Sequence, residues 1–219
     1  MGRRGEANLR FNNSDGSPSG IDSPERCKKL TQLIGKAFMW LSGWKVEGLI
    51  PARDKLVIIA APHTSNWDFV YLLGAAFHLG LKVKWLGKRS LFSFPFGKVM
   101  KYLGGISVDR TRSTGMVEQV AENIGSCQKI NLVIPPSGTR DKTEFWKSGF
   151  YYIAKTANVS LVCGYLDYEK KIAGLGPNFF LSDSLNADMN KIRRFYVGKV
   201  GKYPSLASVV RLKEELGET

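Results

Sequence analysis

The chain is poor in the side chains that build metal centres and disulfide frameworks, with two histidines and three cysteines among 219 residues. Cys27, Cys127 and Cys163 are far apart in the sequence, odd in number and without a CxxC pair. This pattern predicts reduced thiols in a cytosolic setting, and it argues against a disulfide framework or a zinc site. We therefore expect no bound metal.

Long apolar runs are also missing. No segment reaches the ~18 uninterrupted apolar residues of a transmembrane helix, and the start of the chain lacks the apolar region of a signal peptide. We therefore expect a soluble or peripheral protein that has no transmembrane helix and is not secreted.

Acidic residues are scarce relative to basic ones. The chain has 19 Asp plus Glu against 32 Lys plus Arg, which gives a formal net charge of +13. Such an excess indicates an anionic partner, which can be nucleic acid, an acidic membrane surface or a phosphorylated ligand. No zinc signature, RNP motif or helix-turn-helix with basic recognition residues is present, so nucleic acid is the least favoured of the three.

The first ordered element is predicted to be a helix. Residues 1–22 are polar and rich in Gly, Ser and Asn, which predicts a disordered tail, and residues 23–219 are long enough for a single domain. Within 23–45, apolar residues recur at helical spacing. Two interpretations of this amphipathic helix stay open: its stripe packs on the core, or the helix lies at a membrane interface with its tryptophans at headgroup level.

Strands and helices then alternate along the chain. Buried strands are predicted at 56–61, 130–134 and 160–166, and helices at 69–81, 113–124 and 147–159. A short strand followed by a helix is predicted within 179–198. This alternation indicates an α/β fold with a mixed, partly parallel central sheet flanked by helices.

The stretch "PHTSNWD" follows the first buried strand and contains His63 and Asp68. If His63 lies in the strand-to-helix loop and Asp68 in the first turn of the helix, the carboxylate can reach back to the imidazole. It would then fix the tautomer and leave the other ring nitrogen as a base. Alternatively, His63 only caps a loop and Asp68 pairs with a lysine, but the end of a parallel strand is where α/β folds place ligand sites.

Two more strand ends deliver arginines. "GISVDR" ends in Arg110, and "PPSGTR" contains Gly138 and Arg140. Arginine binds phosphate through a bidentate fork, and a glycine amide can approach an anion closely. Together with the histidine motif, these segments predict a phosphate site beside a base.

The ordered trio "HTSNWD", "GISVDR" and "PSGTR" resembles the first three motifs of the 1-acyl-sn-glycerol-3-phosphate acyltransferase family, over roughly residues 41–166. The resemblance implies a peripheral enzyme on the cytoplasmic side of a membrane. Such an enzyme transfers a fatty acyl group from acyl-CoA or acyl-carrier protein to a lysophospholipid or glycerol-phosphate hydroxyl, without a cofactor. It implies His63 as general base and Asp68 as its orienting acid. It also implies a site for the acceptor's phosphate formed by Arg110, Ser137, Gly138, Thr139 and Arg140.

The chain departs from that family's pattern at three places. Ser137 stands where the family has a glutamate, Ser107 stands where it has an aromatic residue, and the strand "VSLVCGYL" lacks the proline of the fourth motif. His63 and Asp68 are intact, so these departures bear on the acceptor and leave the transfer chemistry in place.

Basic and aromatic residues alternate between residues 82 and 112, where eight Lys or Arg accompany one Asp. Lys88, Arg89, Phe92 and Phe94 are candidates for contact with the acyl donor or an anionic membrane. The alternative is a solvated basic face with its aromatics packed inward.

Two other functions stay open at this point. A serine hydrolase or thioesterase would use Ser137 with His63 and Asp68, although "PPSGT" is not the GxSxG of a nucleophile elbow. A protein without catalysis would bind membranes or nucleic acid through its basic surface.

Overall fold

The structure, a computed structural model, describes residues 24–108 and 115–217. The predicted tail, 1–22, lies outside these ranges. The α-helices of the described ranges are α1 Pro24–Leu41, α2 Trp67–Leu79, α3 Gly97–Tyr102, α4 Met116–Ser126, α5 Gly149–Thr156 and α6 Leu185–Tyr196. The strands are β1 Lys45–Glu47, β2 Lys55–Ala61, β3 Lys84–Lys88, β4 Gly105–Val108, β5 Ile130–Ile134, β6 Ser160–Asp167 and β7 Ile172–Phe179.

The strands form one sheet in the order β1-β7-β6-β2-β5-β3-β4. Strands β6, β2, β5, β3 and β4 are all parallel, while β7 runs antiparallel to β6. The predicted mixed, partly parallel α/β sheet is therefore confirmed. Because the five parallel strands end at the same edge, the loops that follow them meet there, which is where such sheets bind ligands.

The central strand β2 is buried on both faces, as its continuous apolar run "KLVIIAA" predicts. Leu56 and Ile58 pack on one face with α2, whereas Val57 and Ile59 pack on the other face with residues of α4, α5 and α6. The alternation of side chains along the strand divides the core into these two layers. This arrangement holds the carboxyl end of β2 rigidly in the middle of the sheet.

Helix α1 covers the outer side of α2. Its inward contacts come from Phe38 and the buried Met39, which pack with Tyr71 and Ala75 of α2. Of the predicted apolar stripe, Phe38 forms this contact, whereas its other large residues within the helix are exposed: Leu30, Leu33, Ile34 and Leu41. Trp40 is also exposed, at 78%. The interpretation of the stripe as a core-packing face is therefore wrong for these residues.

Strand β7 differs from the prediction, which placed a short strand at the start of 179–198. The observed strand covers Ile172–Phe179 and contains two glycines and a proline, residues that weaken strand propensity. Pairing with β6 compensates for this weakness. Strand β1 pairs only with Ile172–Gly174, so Pro177 lies where β7 has a neighbour on one side only, and its missing N–H interrupts no second ladder.

Candidate active site

His63 and Asp68 meet in the loop between β2 and α2. Helix α2 begins at Trp67, so Asp68 lies in its first turn, and its Oδ2 is 3.1 Å from His63 Nδ1. The amide of Trp67 donates to Ser65 Oγ at 3.2 Å, which satisfies one of the free N–H groups at the helix start. The contact predicted from the spacing of five residues is therefore present in the structure.

The Asp68 carboxylate is 4% exposed and accepts hydrogen bonds on both oxygens. The amides of Thr64 and Ser65 donate to Oδ2 at 2.7 and 2.9 Å. Burial raises the pKa of Asp68, but the hydrogen bonds from His63, Tyr168, Ser65 and Thr64 outweigh it and hold that pKa below its usual range. Asp68 is therefore an anion at neutral pH.

An ionised carboxylate only accepts hydrogen bonds, so the contact with Asp68 assigns the ring hydrogen of a neutral His63 to Nδ1. Nε2 then keeps its lone pair and can take a proton. The His63 side chain is 20% exposed, so a substrate hydroxyl can approach it from the cleft that it lines.

Tyr168 is a residue of this site that the sequence analysis missed. Its hydroxyl donates to Asp68 Oδ1 at 2.7 Å. Burial, followed by the hydrogen bond to Asp68, raises the pKa of Tyr168, so the hydroxyl stays protonated and remains a donor. Tyr168 directly follows β6, the parallel neighbour of β2. The sheet-edge rule, applied to this fourth strand end, identifies it.

The loop after β5 borders the same cleft. Ser137 is buried, and its hydroxyl donates to the carbonyl oxygen of Thr139 at 2.6 Å. Gly138 has φ 67°, a left-handed conformation that favours glycine, and the Lys147 side chain passes over it. Thr139 bonds Asp141 in the loop, and Arg140 is exposed. The structure thus brings Ser137 beside His63, with Gly138, Thr139 and Arg140 following in the loop.

The cleft has a volume of about 120 Å³. Its walls come from the β2 loop, the β5 loop and the chain after α6: Ala61, Pro62, His63, Pro136, Ser137, Trp146, Tyr196, Lys199, Ala207, Ser208 and Val210. Clefts that enclose a drug-sized ligand have about 300–1,000 Å³. This cleft is smaller than that, so it can enclose a small chemical group but not a drug-sized ligand.

The chain after α6 passes close to the histidine loop. Tyr203 donates its amide to Thr64 Oγ1 at 3.2 Å, and a Cβ on Gly201 would lie 2.8 Å from the same oxygen. This approach places Lys199 in the cleft. The sequence analysis did not consider Lys199, although two Gly-Lys pairs in "GKVGKY" are a signal of close backbone approach beside cations.

The remaining candidates lie at the ends of β3 and β4. Lys88 and Arg89 are exposed. Phe92 is half-buried and stacks on Trp85, with ring centroids 5.8 Å apart, whereas Phe94 is 98% exposed. Of the two phenylalanines, Phe94 is thus the one that presents its ring to solvent. Arg110 follows β4 but lies outside the described residues.

Within 24–108 and 115–217, no group of three or more His, Cys, Asp or Glu is arranged to hold a metal ion. In the same ranges, no helix combines the length and the apolar character needed to cross a bilayer.

Comparison with known proteins shows similarity to an acyltransferase family model, a curated protein and a solved structure. A family model described as Acyltransferase matches residues 44–166. The 1-acyl-sn-glycerol-3-phosphate acyltransferase of Streptococcus pneumoniae (strain ATCC BAA-255 / R6) is 30% identical over 117 residues, which are 52% of this chain and 42% of that protein. The crystal structure of the 1-acyl-sn-glycerophosphate (LPA) acyltransferase from Thermotoga maritima aligns with a TM-score of 0.58 and 15% identity, over 91% of this chain and 85% of that one. At 15% identity, this similarity shows that the two chains share a fold.

Proposed function

Because the Acyltransferase family model matches residues 44–166, the chain belongs to that family, and we propose that it acylates the hydroxyl of a lysophospholipid or glycerol phosphate. The proposed acceptor is 1-acyl-sn-glycerol-3-phosphate and the product is phosphatidate. The S. pneumoniae relative, whose name states this acceptor, supports the choice. The donor is an acyl thioester, either acyl-CoA or acyl-carrier protein.

The single observation behind this proposal is the His63–Asp68 contact in a cleft at the carboxyl edge of the sheet. In the proposed reaction, His63 Nε2 takes the proton of the acceptor hydroxyl while its oxygen attacks the thioester carbonyl carbon. General base catalysis of this kind contributes ~10²–10⁴-fold to the rate. The imidazolium that forms is stabilised by the buried anion of Asp68.

The tetrahedral intermediate then breaks its C–S bond, and the leaving thiolate receives the proton from the His63 imidazolium. Electrons and protons balance in this sequence, and no enzyme nucleophile is required because a thioester is already activated. The acceptor's phosphate is proposed to bind at the β5 loop, Ser137 to Arg140, together with Arg110. The position of Ser137 in the wall of the cleft supports this assignment.

The rival function, a serine hydrolase, requires Ser137 Oγ to give its proton to His63. In the structure that hydroxyl instead donates to the Thr139 carbonyl, and the hydrogen bonds found within the described ranges include none between Ser137 and His63. This arrangement favours a role for Ser137 in shaping the loop.

Exposed apolar side chains support a peripheral position on an anionic membrane. The exposed face of α1, with Trp40, and the exposed ring of Phe94 occur in a chain of net charge +13. Basic residues near an anionic surface contribute about 1 kcal/mol each, and the cytoplasmic leaflet is the anionic one in cells. Lys88 and Arg89 are proposed to bind the phosphates of CoA, or the acidic surface of a carrier protein.

The experiment that tests the function is a panel of labelled acyl-CoA and acyl-carrier-protein donors against lysophosphatidate, glycerol 3-phosphate and other lysolipids. The proposal predicts label transfer that depends on a phosphate-bearing acceptor. In Ser137→Ala, we expect weaker acceptor binding while acyl transfer persists. Two results together would establish the hydrolase instead. The wild type would hydrolyse the thioester donor without an acceptor and yield a trapped acyl-enzyme, and Ser137→Ala would lose both.

A further inference from the structure

Lys199 lies in the wall of the cleft that His63 lines. Its Nζ lies 4.4 Å from the ring centroid of Tyr165 and 5.4 Å from that of Phe195. Aromatic faces attract a cation without neutralising it. The two rings therefore hold the ammonium group in a defined place without removing its charge.

The backbone around Lys199 is fixed relative to the catalytic loop. The Lys199 amide donates to the Tyr196 carbonyl at the end of α6 at 3.1 Å. The Tyr168 amide donates to the Val200 carbonyl at 2.8 Å, which ties this segment to the residue that bonds Asp68. Together with the Thr64 contact of Tyr203, these bonds join Lys199 and the His63–Asp68 pair into one rigid unit.

No carboxylate balances Lys199 within the part of the chain that the structure describes, since the ion pairs found there use other side chains. Glu47 accepts from the Tyr165 hydroxyl at 3.2 Å but forms no ion pair with Lys199. A half-buried cation that lines a cleft and lacks an acidic partner attracts an anion from solution. An ammonium group suits a phosphate, which it binds as a point charge.

From this arrangement we infer that Lys199 binds a phosphate group of a substrate. The site lies in the wall of the cleft that the chain after α6 forms. The inference rests on the proposed function for the molecule that carries the phosphate, which is either the acceptor or CoA. The site itself depends only on the cleft, the two rings and the unpaired ammonium. Lys199 lies outside the residues matched by the family model, 44–166.

Lys202 provides a matched control in the same segment. Its Nζ lies over the ring of Trp67, 5.0 Å from the centroid, and Lys202 is absent from the wall of the cleft. Lys199→Met and Lys202→Met remove the same charge and keep an apolar stem against an aromatic ring. A general loss of positive charge would therefore affect both variants equally.

The test is equilibrium dialysis of the full chain with radiolabelled glycerol 3-phosphate and, separately, with CoA, using wild type, Lys199→Met, Lys199→Arg and Lys202→Met. We expect Lys199→Met to weaken binding of at least one ligand about tenfold or more, the loss typical of a charge-assisted hydrogen bond. Lys199→Arg and Lys202→Met should stay within about threefold of wild type, because each keeps a cation at the site. Melting temperatures check that all variants are folded.

A loss confined to glycerol 3-phosphate identifies the acceptor's phosphate, and a loss confined to CoA identifies the donor's. Equal binding by Lys199→Met and Lys202→Met, or no binding of either ligand by the wild type, overturns the inference. If the wild type transfers no acyl group in the donor and acceptor panel, yet phosphate binding depends on Lys199, the proposed function fails and the anion site stands.

Discussion

Tyr168→Phe tests the structural basis of the proposed base. The substitution removes only the hydroxyl that donates to Asp68 Oδ1 at 2.7 Å. It keeps the ring, which packs edge-on against Trp44 with centroids 4.8 Å apart. Because Asp68 is 4% exposed, water cannot fully replace the lost donor. Leaving a buried charged acceptor short of one hydrogen bond costs about 1.5–3 kcal/mol, and we expect the free energy of unfolding at pH 7 to fall by that amount.

Activity should fall as well, because in the proposed mechanism the same carboxylate stabilises the imidazolium that forms on His63. If about 1.4 kcal/mol of the loss applies to the transition state, kcat decreases about tenfold. KM for the acceptor should change little, since the Tyr168 hydroxyl bonds Asp68 and is not placed against the acceptor.

The pH dependence follows from the lowered pKa of Asp68. A carboxyl whose pKa is lower in the folded state stabilises the fold above its unfolded value of about 3.9, and this contribution is lost as the pH falls through the folded value. Removing the Tyr168 donor raises the folded pKa. The stability difference between wild type and Tyr168→Phe should therefore be complete at pH 7 and shrink below about pH 4.

The assay combines urea unfolding between pH 2 and 7 with initial rates of acyl transfer. Tyr71→Phe is the matched control, because Tyr71 packs on Tyr168 with ring centroids 5.8 Å apart but does not bond Asp68. If Tyr168→Phe matches the wild type in stability and kcat, or if Tyr71→Phe loses as much, the assigned role of Tyr168 is refuted.

Two further predictions concern packing and the membrane. Gly201→Ala places a Cβ 2.8 Å from Thr64 Oγ1, so we expect the free energy of unfolding, measured by chemical denaturation, to fall by about 1–3 kcal/mol. Gly125→Ala is the control, because its Cβ would meet open space, and it should not destabilise the fold. Equal effects of the two substitutions would contradict the close approach of Gly201 to Thr64. Phe94→Ser removes a side chain that is 98% exposed, so it should reduce sedimentation of the protein with anionic liposomes while keeping the melting temperature. Phe92→Ser should instead lower the melting temperature, because Phe92 stacks on Trp85. Unchanged liposome binding by Phe94→Ser would count against the membrane contact.

The sequence was most informative where one local pattern determined the geometry. A continuous apolar run predicts β5 at 130–134, which is the strand observed, and the spacing of His63 and Asp68 predicts their contact across a helix start. Both outcomes depend on a few neighbouring residues. Local sequence patterns therefore suffice to predict the loop that brings His63 and Asp68 together.

Features that depend on distant partners could not be predicted in the same way. The stripe of α1 has the periodicity of a core-facing helix, but within it Phe38 packs on α2 beside Met39, while Leu30, Leu33, Ile34 and Leu41 are exposed. Tyr168 and Lys199 reach the site only because β6 lies beside β2 and because the chain after α6 returns to the histidine loop. Only the strand order and the path of the chain after α6 bring these residues to His63.

The central claim is that His63 deprotonates the acceptor hydroxyl, and single-turnover acyl transfer to lysophosphatidate tests it most directly. His78, the other histidine of the chain, lies in α2 and serves as the control. At saturating acceptor, we predict that His63→Ala lowers the transfer rate by ~10²–10⁴-fold while His78→Ala retains it, with both variants folded. Transfer by His63→Ala at the wild-type rate would contradict the account.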